Sequence, residues 1–147
     1  MKLSTKGRYG LRALIDLALY SENETVSIQS IARRQNISDS YLEQLMRKLR
    51  SAGLIVSVRG AQGGYKLARP ANKISVGDVL RALEGSLEAV TCGGEDNSCQ
   101  GADLCVTKFV WERINSSIRD TVDSIKLSQL VEESRLMREK GQIQVQK

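Results

Sequence analysis

Three cysteines, Cys92, Cys99 and Cys105, fall within fourteen residues of this chain. Their spacing is C-x6-C-x5-C, and three glycines among them permit the chain reversals that would turn the sulfurs toward one point. Clustered thiolates suit an iron–sulfur cluster or zinc. A redox thiol switch is an alternative, whereas buried structural thiols are disfavoured because two of the cysteines stand in a polar stretch. The pattern therefore predicts a three-cysteine metal or cluster site.

The remaining composition excludes most enzyme chemistry. The chain has no histidine, which removes Ser-His-Asp and Cys-His catalysis together with every histidine metal site. The glycine run at 60–64 follows a predicted strand without opening a helix, so it is not a nucleotide-binding loop. An odd number of cysteines argues against a secreted disulfide framework. The chain is expected not to be an enzyme.

A second group of side chains has the chemistry that reads DNA. Ser40, Gln44, Arg47 and Lys48 lie on one side of a predicted helix, and its other side is a leucine and methionine stripe at residues 42, 45, 46 and 49. Exposed hydrogen-bonding and basic side chains are what a helix needs to enter the major groove. Taken alone, an ordinary surface helix with a solvated face fits the pattern equally well.

The elements around this helix favour the DNA-binding interpretation. Ser27 and Ser38 are predicted N-caps of two helices that are joined by a connector short enough for a helix-turn-helix. Gly53 stands where a helix C-terminus requires a glycine. Residues 54–58 and 65–67 then pair as a hairpin across a loop that contains Arg59 and three glycines. Together they predict a mainly α fold, a winged helix-turn-helix with a small β-hairpin wing.

The distribution of charge agrees with a polyanionic partner for one half only. Residues 1–69 hold 12 lysines and arginines against 5 acidic residues, which gives +7, whereas residues 70–147 hold 10 against 12, which gives −2. A basic patch of this kind favours double-stranded DNA. The apolar run after Met1 is interrupted by Arg12 and Asp16, so neither a signal peptide nor a membrane span is predicted. We expect a cytoplasmic protein with no membrane partner.

The second half of the chain predicts an appended dimerisation element. A helix capped by Ser75 closes the DNA-binding domain at residues 1–84, and residues 85–101 form the cysteine loop. A long amphipathic helix over 102–125 needs an apolar partner, which a second copy of the chain would supply. A helical hairpin with the next, shorter helix, which Ser128 would cap, is the alternative. Residues 102–140 are thus a dimerisation unit and 141–147 a flexible tail. The predicted dimer stripe consists of Phe109, Val110, Ile114, Ile118, Val122 and Ile125.

Several motifs together resemble the IscR family of bacterial iron–sulfur cluster regulators over nearly the whole chain. They are LSTKGRY at 3–9, SYLEQL at 40–45, SVRG at 57–60, GGY at 63–65, and CQG at 99–101 followed by Cys105. The resemblance implies a dimeric winged-helix repressor or activator whose three cysteines bind a [2Fe-2S] cluster delivered by the cluster-assembly machinery. It further implies control of genes for cluster assembly, with cluster occupancy deciding which promoters are bound.

Two departures from the family pattern leave the cluster type open. Six residues separate the first two cysteines, where five are commonest, and Lys108 occupies the position of the family's histidine ligand. A related branch that includes the nitric-oxide sensor NsrR binds [4Fe-4S] through three cysteines. Its aspartate ligand lies in the region of the first helix that offers Arg8 here. The alternatives for the fourth ligand are Glu95, Asp96, Asp103, a group from a partner subunit, or an exogenous thiol.

The resulting hypothesis assigns DNA contacts by groove. Arg59 and Gly60 of the wing enter the minor groove or straddle a phosphate, while Ser40, Tyr41 and Gln44 meet base edges. Glu43 accepts from a cytosine amino group, repels certain sequences, or pairs with Arg47. The phosphate contacts come from Arg47, Lys48, Lys2, Ser4 and Arg8. A [2Fe-2S] electron carrier is a rival, but it has no use for a basic wing. A regulator controlled by a partner enzyme would not need the cysteines.

Overall fold

The structure, a computed structural model, describes residues 2–91 and 105–145. Two antiparallel strands and six α-helices follow one another in the described part of the chain, with a short 3₁₀ turn at Ala71–Lys73. The elements are α1 (Thr5–Tyr20), α2 (Ile28–Gln35), α3 (Asp39–Ser51), β1 (Ile55–Val58), β2 (Gly64–Leu67), α4 (Val76–Glu84), α5 (Thr107–Ser124) and α6 (Leu127–Val145). A mainly α fold with a hairpin was predicted and is confirmed.

The helix-turn-helix forms where its capping residues predict it. The Ser27 hydroxyl accepts a hydrogen bond from the Ser30 amide at 3.2 Å and begins α2. The Ser38 hydroxyl accepts from the Tyr41 amide at 3.2 Å and begins α3. Between them Asn36 adopts a left-handed conformation with φ of 55°, which asparagine tolerates better than most residues. The turn therefore needs only three residues to reverse the chain.

One core holds α1, α2 and α3 together with the base of the wing. Leu42, Leu45, Met46 and Leu49 of α3 are fully buried, as their spacing predicts, and meet Leu14 and Leu17 of α1. The opposite side of α3 is thereby left to solvent. Because α3 is fixed on one side by this core, its outer side chains have defined positions.

The wing is anchored outside its own hairpin. β1 and β2 pair in the register Ile55↔Leu67 to Val58↔Gly64. Val26, in the loop before α2, also exchanges two backbone hydrogen bonds with Tyr65, at 2.9 and 2.8 Å. A side chain at Gly64 would lie 2.6 Å from the Val26 carbonyl oxygen, so glycine is required for this close approach. The sequence carries no local signal for this third pairing.

Helix α4 connects the DNA-binding half to the last two helices. Ser75 and Asp78 form a complete capping box at its start, as the sequence predicts. A single antiparallel bridge between Ser75 and Lys126 then joins this start to the α5–α6 turn. The second cluster of buried apolar residues, Val76, Leu80 and Leu87, packs against that turn and the end of α5.

The last two helices differ from the prediction in their bounds. Helix α5 begins at Thr107 rather than 102, so its 18 residues span about 27 Å, and Cys105 precedes the helix rather than occupying its first turn. Helix α6 has 19 residues and is longer than α5, and it continues to Val145, within the predicted tail. Ser128 is the second residue of α6 and not its N-cap. In the described part of the chain no helix is both long and apolar enough to cross a membrane.

Candidate functional site

The outer face of α3 presents the side chains predicted to read DNA. Ser40, Glu43, Gln44 and Arg47 are all exposed, and all point away from the buried leucine stripe. Asp39 stands in the first turn, and Lys48 and Arg50 stand in the last turn. The Ser38 cap and the buried stripe together fix both the start and the rotation of this helix. Its outer face is therefore a rigid polar surface with basic residues toward its C-terminal end.

Tyr41 contacts helix α1, a role that was not predicted from the sequence. Its ring meets the Tyr9 ring edge-on, with centroids 6.2 Å apart and an angle of 85°. Its hydroxyl donates to Thr5 Oγ1 at 3.1 Å. Tyr41, predicted as a base contact, is thus half-buried between α3 and α1. It sets the position of the first turn of α1 beside the recognition helix.

Lys48 is also engaged within the chain. Its Nζ donates to the Leu83 carbonyl at 3.4 Å, in the last turn of α4. A lysine at a helix C-terminus is favourable because the carbonyls there carry partial negative charge. Lys48 as a whole nevertheless stays exposed.

The N-terminus of α1 is already occupied by a carboxylate. We expected this helix end, with Lys2, Ser4 and Arg8, to contact phosphate. In the structure Glu84 Oε1 accepts from the Ser4 hydroxyl at 2.6 Å, the Gly7 amide at 2.8 Å and the Ser4 amide at 2.9 Å. These donors, together with nearby Lys6, hold the pKa of Glu84 below its usual value. Ser4 is therefore bonded within the chain, while Lys2 and Arg8 remain exposed.

The wing tip is held by a hydroxyl from a distant loop. Thr25 Oγ1 donates to the Gln62 carbonyl at 2.6 Å. Within the tip the Gly63 amide donates to the Gly60 carbonyl at 2.9 Å, and Gly60 has a φ of 116°, which favours glycine. Arg59 is exposed beside this turn. The predicted minor-groove residues, Arg59 and Gly60, therefore stand on a tip fixed at both of its ends.

Of the three cysteines only Cys105 lies in the described residues; Cys92 and Cys99 lie outside them. The Cys105 sulfur is partly exposed, 3.0 Å from Thr107 Oγ1. This side-chain hydrogen bond, followed by the backbone amide of Lys108, lowers the pKa of Cys105 from the usual thiol value. Lys108 Nζ is 3.9 Å from Glu112 Oε1. Residues 2–91 and 105–145 contain no group of three potential ligand side chains that could hold a metal by themselves.

An asparagine fastens the chain just before the first cysteine. Asn115 of α5 accepts from the Ala89 amide at 2.7 Å through Oδ1 and donates to the Val90 carbonyl at 3.1 Å through Nδ2. Both hydrogen-bonding groups of one side-chain amide are thus used on adjacent residues of the same segment. A lone asparagine in a helix carries no sequence signal for this role, which was therefore not predicted.

The predicted dimer stripe divides into two halves with different surroundings. Phe109, Val110 and Ile114 are exposed and, with Arg113 and Ser117, line a shallow open groove. The other three residues, Ile118, Val122 and Ile125, pack on the Val76, Leu80 and Leu87 cluster of their own chain. Ile125 follows α5 instead of lying within it. The second half of the stripe is therefore partly covered by its own chain, although Ile118 also lines the groove, and the first half is the more exposed to a partner.

Comparisons with known proteins agree with this architecture. The sequence profile of the Rrf2 family, described as an iron-dependent transcriptional regulator, matches residues 3–133. The chain is 43% identical over 137 residues to the HTH-type transcriptional regulator IscR of Vibrio campbellii, covering 93% of this chain and 81% of the relative. It is 46% identical over 131 residues to IscR of Pectobacterium atrosepticum, covering 89% and 79%.

Solved structures give the same result. The structure of T. potens IscR superposes with a TM-score of 0.73 at 47% identity, covering 91% of this chain and 88% of that one. CymR, the global cysteine regulator of B. subtilis, superposes with a TM-score of 0.75 at 39% identity, covering 90% and 98%. Both superpositions therefore cover most of the chain and are not confined to the DNA-binding half.

Proposed function

The chain belongs to the Rrf2 family of iron-dependent transcriptional regulators, and from this premise we propose that it is a homodimer that reads iron–sulfur status and controls genes for cluster biogenesis. It is an HTH-type transcriptional regulator with a winged-helix fold and not an enzyme. The observation that carries the DNA-binding part of the proposal is the polar outer face of α3, which four buried side chains hold against the core.

DNA binding by this surface follows from the polar and basic groups that it leaves exposed. Ser40 and Gln44 are exposed and can donate and accept at base edges in the major groove. Arg59 stands on the anchored wing tip, from which a guanidinium reaches a minor groove or a phosphate. Arg47, Lys48, Lys2 and Arg8 supply phosphate contacts. Tyr41 and Ser4 support the surface from within, in addition to any contact of their own.

Glu43 is the acidic exception on this face and sets sequence preference in the proposal. It is exposed, and Arg47 stands one helical turn away, where an ion pair can form. A carboxylate accepts a hydrogen bond from a cytosine amino group and is repelled by base edges that offer only acceptors. Glu43 therefore selects among operators instead of adding affinity.

Dimerisation uses the exposed first half of α5. Phe109, Val110 and Ile114 are large apolar side chains that stay in contact with water in the monomer, although a partner copy could cover them. A two-fold dimer places one recognition helix on each half-site, as helix-turn-helix proteins require. The two last helices carry this face, and α4 ties them to the DNA-binding half.

The cysteines hold the sensing group. Cys105 suits a thiolate-bound group because it is partly exposed and its pKa is lowered by Thr107. Cys92, Cys99 and Cys105 would bind a [2Fe-2S] cluster, which supplies sensitivity to iron supply and to oxidants when bound. Lys108 Nζ lies 3.9 Å from Glu112 Oε1, and an ammonium group has no lone pair to offer as fourth ligand. A [4Fe-4S] cluster that senses nitric oxide or oxygen is the alternative. The cluster-assembly machinery is the proposed donor, and the cytoplasm the proposed location.

Anaerobic reconstitution with iron and sulfide tests the cofactor. About two irons and two sulfides per chain with a [2Fe-2S] Mössbauer spectrum support the proposal, and about four of each support the alternative. A Cys105→Ala variant that still binds the cluster would remove Cys105 from the ligand set. If the chain binds no cluster, a thiol-controlled or partner-controlled regulator without a cluster replaces the proposal. The precedent for such a replacement is CymR, a relative of the same fold that is named as a cysteine regulator.

Selection from sheared genomic DNA, followed by sequencing of the bound fragments, tests the regulatory target. Enrichment of sites upstream of cluster-biogenesis genes is expected from the wild-type chain. A Gln44→Ala variant should lose that enrichment while it keeps non-specific binding, because phosphate contacts are independent of sequence. Enrichment unrelated to these genes would contradict the proposed target set without contradicting DNA binding.

A further inference from the structure

The first helix lacks part of its own N-terminal cap. Its start reads Ser4-Thr5-Lys6-Gly7, with the Ser4 hydroxyl accepting from the Lys6 amide at 3.1 Å. A complete capping box needs a glutamate or glutamine at the third helical position, whose side chain reaches back to the amide of the capping residue. Here that position is Gly7, which has no side chain. A carboxylate that completes this cap must therefore come from another part of the chain.

Glu84, the last residue of α4, provides it from 77 to 80 residues away. Its Oε1 accepts from the amides of both Ser4 and Gly7 and from the Ser4 hydroxyl. These are the groups that a local capping box would satisfy, together with the hydroxyl of the cap itself. The negative charge also lies at the positive end of the α1 dipole, which stabilises it.

Two glycines of α1 make this approach possible. A Cβ at Gly7 would lie 2.7 Å from Glu84 Oε1, and a Cβ at Gly10 would collide with the Leu83 side chain. Both glycines are buried, although glycine is unfavourable in a helix. Their absence of side chains lets the last turn of α4 lie directly on α1.

The same turn of α4 is tied to the recognition helix. Lys48 of α3 donates to the Leu83 carbonyl, one residue before Glu84. On the other side of the junction Thr5 of α1 accepts from the Tyr41 hydroxyl of α3. Helix α3 is therefore joined to α1 through Tyr41 and to α4 through Lys48, near the end of α1 that carries Arg8.

We propose that Glu84 is a positioning residue for DNA binding, which caps α1 from α4 and holds its basic first turn beside the recognition helix. This inference rests on the proposed DNA-binding function. By charge alone a carboxylate near a DNA-facing surface repels phosphate, so its removal should strengthen binding. Positioning predicts the opposite sign. The sign of the effect therefore separates the two roles.

The experiment compares Glu84→Ala and Glu84→Gln with Glu88→Gln in the cluster-free full-length chain. Glu88 is an exposed carboxylate four residues further along, so its variant changes the same charge away from α1. Binding to a fragment selected by the wild type is followed by fluorescence anisotropy from about 50 to about 200 mM salt. Thermal unfolding and exchange of the Gly7 amide are measured on the same samples.

We expect Glu84→Ala to bind roughly tenfold more weakly, with faster Gly7 exchange. The slope of log K against log salt should fall in magnitude by about 0.9 for each phosphate that the protein no longer neutralises. Glu84→Gln should lie between Ala and wild type, because its amide keeps one acceptor oxygen. Glu88→Gln should bind as the wild type does or slightly more tightly.

Three results would overturn the inference. Equal or tighter binding by both Glu84 variants would leave only the charge effect. Weaker binding with an unchanged salt slope would indicate a general loss of structure. Equal weakening by Glu88→Gln would show that the position of the charge is irrelevant. If Glu84→Ala does not fold, Glu84→Gln decides the question alone. Failure of the wild type to bind any DNA would instead contradict the proposed function.

Discussion

The outer face of α3 and the first half of α5 are both exposed, but they are built in opposite ways. Behind the exposed side chains of α3 stand four buried ones, whereas α5 contains no buried residue at all. The α3 face is polar, and the α5 face is apolar, with Phe109 68% exposed. A polar face that lies over a complete hydrophobic core is well solvated by water and can bind a polar ligand such as DNA. An exposed apolar face becomes part of a hydrophobic core only when a partner surface covers it.

The largest expected effect comes from charging the α5 face. Phe109→Glu should weaken dimerisation about 100-fold or more, because an unpaired carboxylate would be buried at the interface. Met137→Glu is the matched control, since Met137 is 69% exposed on α6. Sedimentation equilibrium measures the dissociation constant of both variants. If Phe109→Glu dimerises as tightly as the wild type, the exposed face of α5 is not the dimer interface.

Truncation of the wing arginine tests the polar side of the comparison. Arg59→Ala should cost about 1–3 kcal/mol in DNA binding if the guanidinium contacts a base. Arg119→Ala removes the same charge from an exposed position on α5 and should have little effect. Titration of DNA fragments with each variant gives the two affinities. Equal losses would mean that net charge, and not the wing, determines affinity.

A smaller effect is expected from the hydroxyl that anchors the wing. Thr25→Val keeps the shape of the side chain but loses the hydrogen bond to Gln62, so DNA binding should weaken by about 0.5–1.5 kcal/mol. Thr25→Ser keeps the hydroxyl and should bind nearly as the wild type does. The loss in Thr25→Val should largely vanish when Arg59 is already alanine, because both changes then act on one wing contact. Additive losses of binding free energy in the double variant would show that Thr25 and Arg59 act on DNA binding independently of each other.

The smallest expected effect is a pH dependence of stability. Because the folded pKa of Glu84 is below its ordinary value, the contact stabilises the fold above that ordinary value and loses its contribution as pH falls through the folded pKa. The free energies of unfolding of the wild type and Glu84→Gln should therefore converge from about pH 6 to about pH 3. Urea titrations at both ends of this range measure the difference. A constant difference would show that the carboxylate charge contributes nothing.

Local signals predicted the DNA-binding half well. Ser27, Ser38 and Ser75 begin the helices that they were expected to begin, because an N-cap contacts residues two or three positions away. Helix α5 was predicted to begin too early, because its N-cap is Val106, which has no capping side chain. Only one half of a capping box is present at the start of helix α6. The Gln129 side chain accepts from the Lys126 amide at 2.7 Å, but Lys126 has no capping side chain of the serine or threonine type.

The contacts that position the surface could not be predicted. Tyr41 with Thr5, Thr25 with Gln62, Glu84 with Ser4, and Asn115 with Ala89 join residues 26 to 80 positions apart. One sequence predicts which faces are polar but not which polar groups meet across two elements. The division of the α5 stripe was missed for the same reason, since Ile118 and Phe109 have equivalent positions in the pattern but different neighbours in space.

The cap that α4 gives to α1 has a consequence for the order of folding. A ribosome releases the N-terminal helix first, yet Ser4 waits for a carboxylate 80 residues later in the chain. Long-range contacts of this kind close late, because a large loop must be ordered before they form. The DNA-facing edge is therefore completed only after residue 84 has been synthesised and α4 has docked. A nascent chain that ends within the wing therefore contains the residues of α3 but not the carboxylate that caps α1.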